Sequence, residues 1–311
     1  MGRRRTPKPP APTASGVGGS ETYAQPSCAD GVWCRRVRND HRRAFARYVR
    51  GSAESAYDSL GHHRAVAESR WLIDQHPVRR ISERDDRQLS RDRWPATLAP
   101  VRQLLDDGLD LGGLTILVGE NGSGKSTIVE AVAIAYGLSP EGGSTGAMHS
   151  TRPSESSLSD YLHLTRGAGA TRWGYFLRAE TMHGLFSYLE ENPGRNDPRF
   201  HELSHGESFL SMIGTRRFLD AGFFVLDEPE AGLSFTGQLA LVGLLAELAA
   251  DPRAQVLMAT HSPILAAVPG ASLLQLDETG LHSTTWEELD VVDHYRRFLE
   301  APTRYLRHVL P

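Results

Sequence analysis

Gly119-Glu120-Asn121-Gly122-Ser123-Gly124-Lys125-Ser126 fits the pattern G-x-x-x-x-G-K-[ST], and the residues on either side decide whether the fit has meaning. Upstream, Leu114-Thr115-Ile116-Leu117-Val118 reads as a buried strand; downstream, Thr127 to Tyr136 reads as a helix stopped by Gly137. A strand, a glycine-rich turn and a helix in that order make a phosphate-binding loop. The glycines let backbone N–H groups of Gly119 to Thr127 curl around phosphates, and the helix N-terminus adds positive potential. Lys125 then reaches the β- and γ-phosphates and the Ser126 hydroxyl binds Mg²⁺. Lys8 and Lys125 are the only lysines of a chain that otherwise uses arginine. A lysine at the one position where this loop needs it is informative.

Further apolar runs follow the same rhythm. Phe223 to Leu226, Gln255 to Ala259 and Ala271 to Leu276 read as strands, with a helix from Gln238 to Ala250 between the first two. Strands alternating with helices imply an α/β fold with a mostly parallel sheet and its ligand at the carboxyl ends of the strands. Asp227 and Glu228 follow the first of these strands and His261 follows the second. Asp227 at a strand end can hold the Mg²⁺ shell, and Glu228 beside it is suited to orient or deprotonate an attacking water. His261 reaches the same edge of the sheet, and its place in the series resembles that of the switch histidine of ABC-type ATPases, which implies a γ-phosphate contact.

His201-Glu202-Leu203-Ser204-His205 also fits H-E-x-x-H, the zinc-protease pattern. That pattern needs both histidines on one helical face. Ser204-x-x-Glu207, followed by Phe209, Leu210, Met212 and Ile213, is instead a capping box ahead of an apolar run. A helix starting at Ser204 leaves His201 outside the first turn. The same capping box offers a Ser hydroxyl and the Gly206 backbone at a helix N-terminus, which is an anion site.

The motifs GENGSGKST, LSHGE, FFVLDEPEAGLS and ATHSPIL, in this order over residues 94 to 311, resemble the phosphate loop, signature, Walker B, D-loop and switch of ABC-type ATPases. With RWPATLAPV, YFLRAE and RYLRHVL the chain is similar to small stand-alone bacterial ATPases labelled AAA or ABC ATP-binding proteins. The resemblance implies a P-loop NTPase of ABC type with a helical lid, using ATP and Mg²⁺. It also implies a sandwich homodimer in which Ser204 and Gly206 of one copy close over ATP held by Lys125 of the other. Glu230 to Ser234 would be the D-loop at that seam. No Gln lies between Val129 and Gly237. Arg178 or Glu180 would therefore take the place of the usual Q-loop glutamine, Glu180 as a metal or water contact. Trp94 could stack on adenine, although core packing is the stronger expectation.

Of 311 residues, 40% are hydrophobic and 23% charged, ordinary values for a globular protein. Residues 1 to 95 hold 19 Lys and Arg against 11 Asp and Glu, whereas residues 96 to 311 hold 15 against 27. A basic front can attract nucleic acid or anionic lipid, and a solvated arginine-rich tail explains it as well. Residues 1–70 are expected to be a basic, largely disordered extension, 71–311 the ATPase domain, and 138–203 a lid inserted in it. Cys28 and Cys34 read as free thiols. The apolar run from Leu239 to Ala250 is too short to span a bilayer. A cytoplasmic protein is expected, with a membrane permease or a nucleic acid as possible partners.

Overall fold

A computed structural model describes residues 76–145, 156–179, 213 and 221–310, all within one compact unit, Phe45–Pro311. The regular strands come from the apolar runs. β3 (Leu114–Gly119), β6 (Gly174–Arg178), β7 (Gly222–Asp227), β8 (Ala254–Thr260) and β9 (Ser272–Asp277) lie parallel in one sheet. Its order is β10-β9-β3-β8-β7-β6-β4, with β10 (Gly280–Thr284) and β4 (Gly143–Ser144) antiparallel at the two edges. Parallel strands covered on both faces need apolar residues in unbroken series, which is why these segments lack polar alternation.

The period of two then divides the residues between two cores. Ile116, Val118, Phe224, Leu226, Val256 and Met258 face one side, packed with Leu241, Val242 and Leu245 of α3 (Phe235–Ala249). Leu117, Phe223, Val225, Leu257 and Ala259 face the other. There they meet Ile128, Val129 and Val132 of α2 (Lys125–Tyr136) and Val101, Leu104 and Leu105 of α1 (Ala99–Asp107). The chain ends with α4 (Asp290–Glu300) and α5 (Pro302–Leu306). α2 begins at Lys125 rather than Thr127, because Gly124, at φ 96°, turns the chain directly into it.

A second, three-stranded antiparallel sheet has the order β2-β1-β5, from Leu109–Asp110, Arg80–Glu83 and Leu162–Thr165. β5 and β6 both fall inside 138–203, β5 in this sheet and β6 in the seven-stranded one. Residues 180–203, Cys28 and Cys34 lie outside the described residues. So do residues 201–208 with Ser204 and Gly206; farther along the same apolar run, Ile213 is helical and buried.

The start of the domain is tied down by Gln255, a fully buried polar residue on β8. Its Oε1 accepts from the Val78 N–H at 2.8 Å, while its Nε2 donates to the carbonyls of Val78 and Gly112. Deleting residues 1–70 is therefore expected to leave a folded domain. Deleting 1–93 removes β1 and leaves the Gln255 amide buried without Val78, at about 1–3 kcal/mol for the orphaned groups alone. Circular dichroism and thermal unfolding of the two truncations check this: a folded 1–93 deletion would contradict it.

Candidate functional site

The carboxyl ends of β3, β7 and β8 bring the predicted residues to one edge of the sheet. Gly119 ends β3 where a Cβ would collide with the Leu276 carbonyl and crowd Ser123, so only glycine fits. Gly122 takes φ 82°, a left-handed turn that glycine adopts without strain. Glu120, Asn121 and Gly122 stay exposed at the tip of the loop. Lys125 is buried, and its Nζ donates at 2.8 Å to the carbonyl oxygens of Gly119 and Glu120. The ammonium therefore bridges the loop from inside. Burial pulls its pKa below the ordinary lysine value, against the pull of Glu228, Asp227, Glu230 and Glu120 in the opposite direction.

Ser126, in the first turn of α2, donates its hydroxyl to Asp227 Oδ1 at 2.9 Å. Asp227 ends β7 and is buried. A hydroxyl and a carboxylate in contact are hard oxygen donors of the kind Mg²⁺ takes. Among the described residues no group of three His, Cys, Asp or Glu could hold a metal ion. The pair thus suits an ion that completes its shell with waters and phosphate oxygens.

Glu228 is the one described non-glycine residue with positive φ, at 50°. Its N–H donates to the Ala259 carbonyl at 3.0 Å, and its carboxylate Oε1 lies 2.7 Å from His261 Nε2. His261 Nδ1 lies 3.1 Å from the Gly119 carbonyl oxygen. A carbonyl and a carboxylate both offer acceptor oxygens, so each ring nitrogen faces an acceptor. The imidazole therefore joins the end of β3 to the carboxylate after β7.

Three features were not foreseen as a group. Arg178, at the end of β6, places Nη1 2.7 Å from Glu130 Oε2 and Nε 3.4 Å from Asp227 Oδ2. Glu130 is buried on α2, one turn beyond Ser126, and the helical spacing i, i+4 is the only sequence signal for it. Glu230 Oε1 accepts from the backbone N–H of His261 at 2.6 Å. The second glutamate of Asp-Glu-Pro-Glu thus grips the backbone of the residue whose ring the first glutamate meets. Trp94, expected in the core, is 53% exposed, ahead of a turn whose Leu98 lies against Gly124. Glu180 lies outside the described residues.

The chain is similar to known proteins over part of its length. A family described as "AAA domain, putative AbiEii toxin, Type IV TA system" matches residues 114–207 and 183–267. The zinc import ATP-binding protein ZnuC of Vibrio cholerae is 30% identical over 165 residues, 51% of this chain and 62% of the relative. ZnuC of Paracoccus denitrificans is 28% identical, over 52% of this chain and 64% of the relative. Among solved structures, cbiO1 of Clostridium perfringens, part of the ABC transporter complex cbiONQ, aligns with a TM-score of 0.37 at 16% identity. That alignment covers 65% of this chain and 89% of cbiO1. The motif order, the parallel sheet and the sequence relatives support an ABC-type P-loop fold for this chain. It spans less than two thirds of the length of the ZnuC relatives. No described helix is long and apolar enough to cross a membrane.

Proposed function

We propose that the chain binds and hydrolyses ATP, and that two copies close around the nucleotide. The observation that carries this is the meeting of Lys125, Ser126, Asp227, Glu228 and His261 at one edge of the sheet, from three separate strand ends. The amides of Gly119 to Thr127 cradle the phosphates, with Asn121 and Ser123 in the turn. Lys125 exchanges its bonds to the loop carbonyls for the β- and γ-phosphates. Ser126 and Asp227 are the residues that would hold Mg²⁺, with Glu180 the candidate for a further contact. When bound, Mg²⁺ supplies positive charge against the phosphate oxygens.

Glu228 takes the proton of the attacking water at its carboxylate, which His261 holds in place in the nucleotide-free site. A positive φ at a non-glycine residue is strained, and strain of this kind persists at functional sites because the surroundings over-determine it. His261 then turns its Nε2 to the γ-phosphate. Ser204 and Gly206 of the second copy close the site from the opposite side, at the N-terminus of the helix their capping box starts. Trp94, exposed beside the turn that packs on Gly124, is the candidate surface for adenine.

The relatives named as import ATP-binding proteins favour a second reading, in which hydrolysis drives a membrane permease and the chain acts at the cytoplasmic face. A nucleic-acid partner rests on the basic front of the chain and on Glu207. One assay addresses both the activity and its coupling. Phosphate release from ATP with Mg²⁺ is expected from the chain alone, and is to be compared with DNA, RNA or liposomes added. An absence of phosphate release under all four conditions would contradict the proposed activity.

A further inference from the structure

The cluster of Glu130, Arg178 and Asp227 is more closed than phosphate binding requires. The three side chains are 5%, 14% and 3% exposed. Cross-strand pairing sets Arg178 beside Asp227, on the face of the sheet that α2 covers, and Glu130 on α2 holds the far end of the guanidinium. Asp227 Oδ1 accepts from the Ser126 hydroxyl at 2.9 Å, and Oδ2 lies 3.4 Å from Arg178 Nε, a charge contact rather than a hydrogen bond. The two groups suited to a divalent cation thus lie against each other and against a cation the protein already owns. Arginine keeps its charge at every pH at which the protein is folded, so this cation does not leave by losing a proton.

We propose that Arg178 is a positioning residue that stands in for a cation at Asp227 and keeps divalent metal out of the nucleotide-free site, so that the metal enters only together with a nucleotide. The inference rests on the reading of Ser126 and Asp227 as metal-holding residues. Its physical basis is repulsion. A divalent ion at Asp227 sits within a few ångströms of a guanidinium in a partly buried setting, where like charges are poorly screened. Ser126 and Asp227 offer it two oxygens in contact, and among the described residues no group of three His, Cys, Asp or Glu could hold a metal ion. A triphosphate changes both terms, since it brings further oxygen ligands and negative charge that offsets Arg178. Glu130 keeps the guanidinium from swinging to the phosphates instead.

The double variant Arg178→Gln with Glu130→Gln is the informative one, because it removes one charge of each sign and leaves the local net charge as it was. Mn²⁺, which takes the same oxygen ligands as Mg²⁺, serves as the probe. Titrated into nucleotide-free protein and followed by paramagnetic resonance, Mn²⁺ is expected to bind the double variant at least about tenfold more tightly than wild type, a difference of about 1.4 kcal/mol. Glu130→Gln alone, which keeps Arg178 at Asp227, should not gain this affinity, and adding Asp227→Asn to the double variant should remove the gain. Equal Mn²⁺ affinity in the wild type and a folded double variant would overturn the proposal. So would tight Mn²⁺ binding to nucleotide-free wild type, which needs no variant to fold. ATP binding is measured separately on the same samples: failure there counts against the ATP reading, while the Mn²⁺ comparison still decides the role of Arg178.

Discussion

Lys125→Ala is expected to abolish ATP binding at concentrations that saturate the wild type. Lys125 is a buried ammonium, the one cationic side chain of the loop Gly119 to Ser126, and it is the only lysine among the described residues. Removing a buried, hydrogen-bonded charge from a binding site typically costs about 2–5 kcal/mol. The loop also loses the two 2.8 Å bonds by which Nζ holds the Gly119 and Glu120 carbonyls. Lys125→Arg should not restore affinity, since a planar guanidinium does not fit where a compact ammonium sits between two carbonyls. Titration calorimetry with ATP checks both variants. Wild-type affinity in Lys125→Ala would show that the loop is not the nucleotide site.

The second large effect is expected at the other side of the reaction. Glu228→Gln keeps size and one carbonyl oxygen but loses the charge that accepts a proton from water. Cleavage should slow by about 10²–10⁴-fold, the range for loss of a general base. Binding should persist, because Lys125, Ser126 and Asp227 are untouched. A single-turnover assay separates the two quantities. Wild-type cleavage by this variant would remove Glu228 from its proposed role.

The parts of the site that could be read in the sequence are those whose local chemistry is self-sufficient. β3, β7 and β8 are buried almost throughout, and their continuous apolar runs announced them to within one residue at each end, while β9, only partly buried, was announced as closely by its leucines. Loop, strand-end acids and histidine follow from such strands by position. β1 could not be read in this way: Arg80-Ile81-Ser82-Glu83 has one apolar residue and becomes a strand only by pairing with β2 and β5, both distant in sequence. The Arg178–Glu130 pair was hidden for the same reason, since a strand end and a helix position 48 residues apart share no local pattern. Trp94 was misplaced because an aromatic residue next to apolar positions usually packs inward, whereas here Pro95 and Ala96 take the buried positions and leave the indole outside. The reading of Ser204 and Gly206 rests on the capping box and on the resemblance of LSHGE to the ABC signature.

The sandwich and the hydrolysis step meet in one measurement: the mass of Glu228→Gln by light scattering on a size-exclusion column, with and without ATP and Mg²⁺. A variant that binds ATP and cannot cleave it should remain closed, so the 34.2 kDa chain should elute as a monomer without nucleotide and at twice that mass with it. Adding Ser204→Arg, which blocks the contact across the seam, should return it to monomer. A Glu228→Gln protein that holds ATP and stays monomeric would contradict the account.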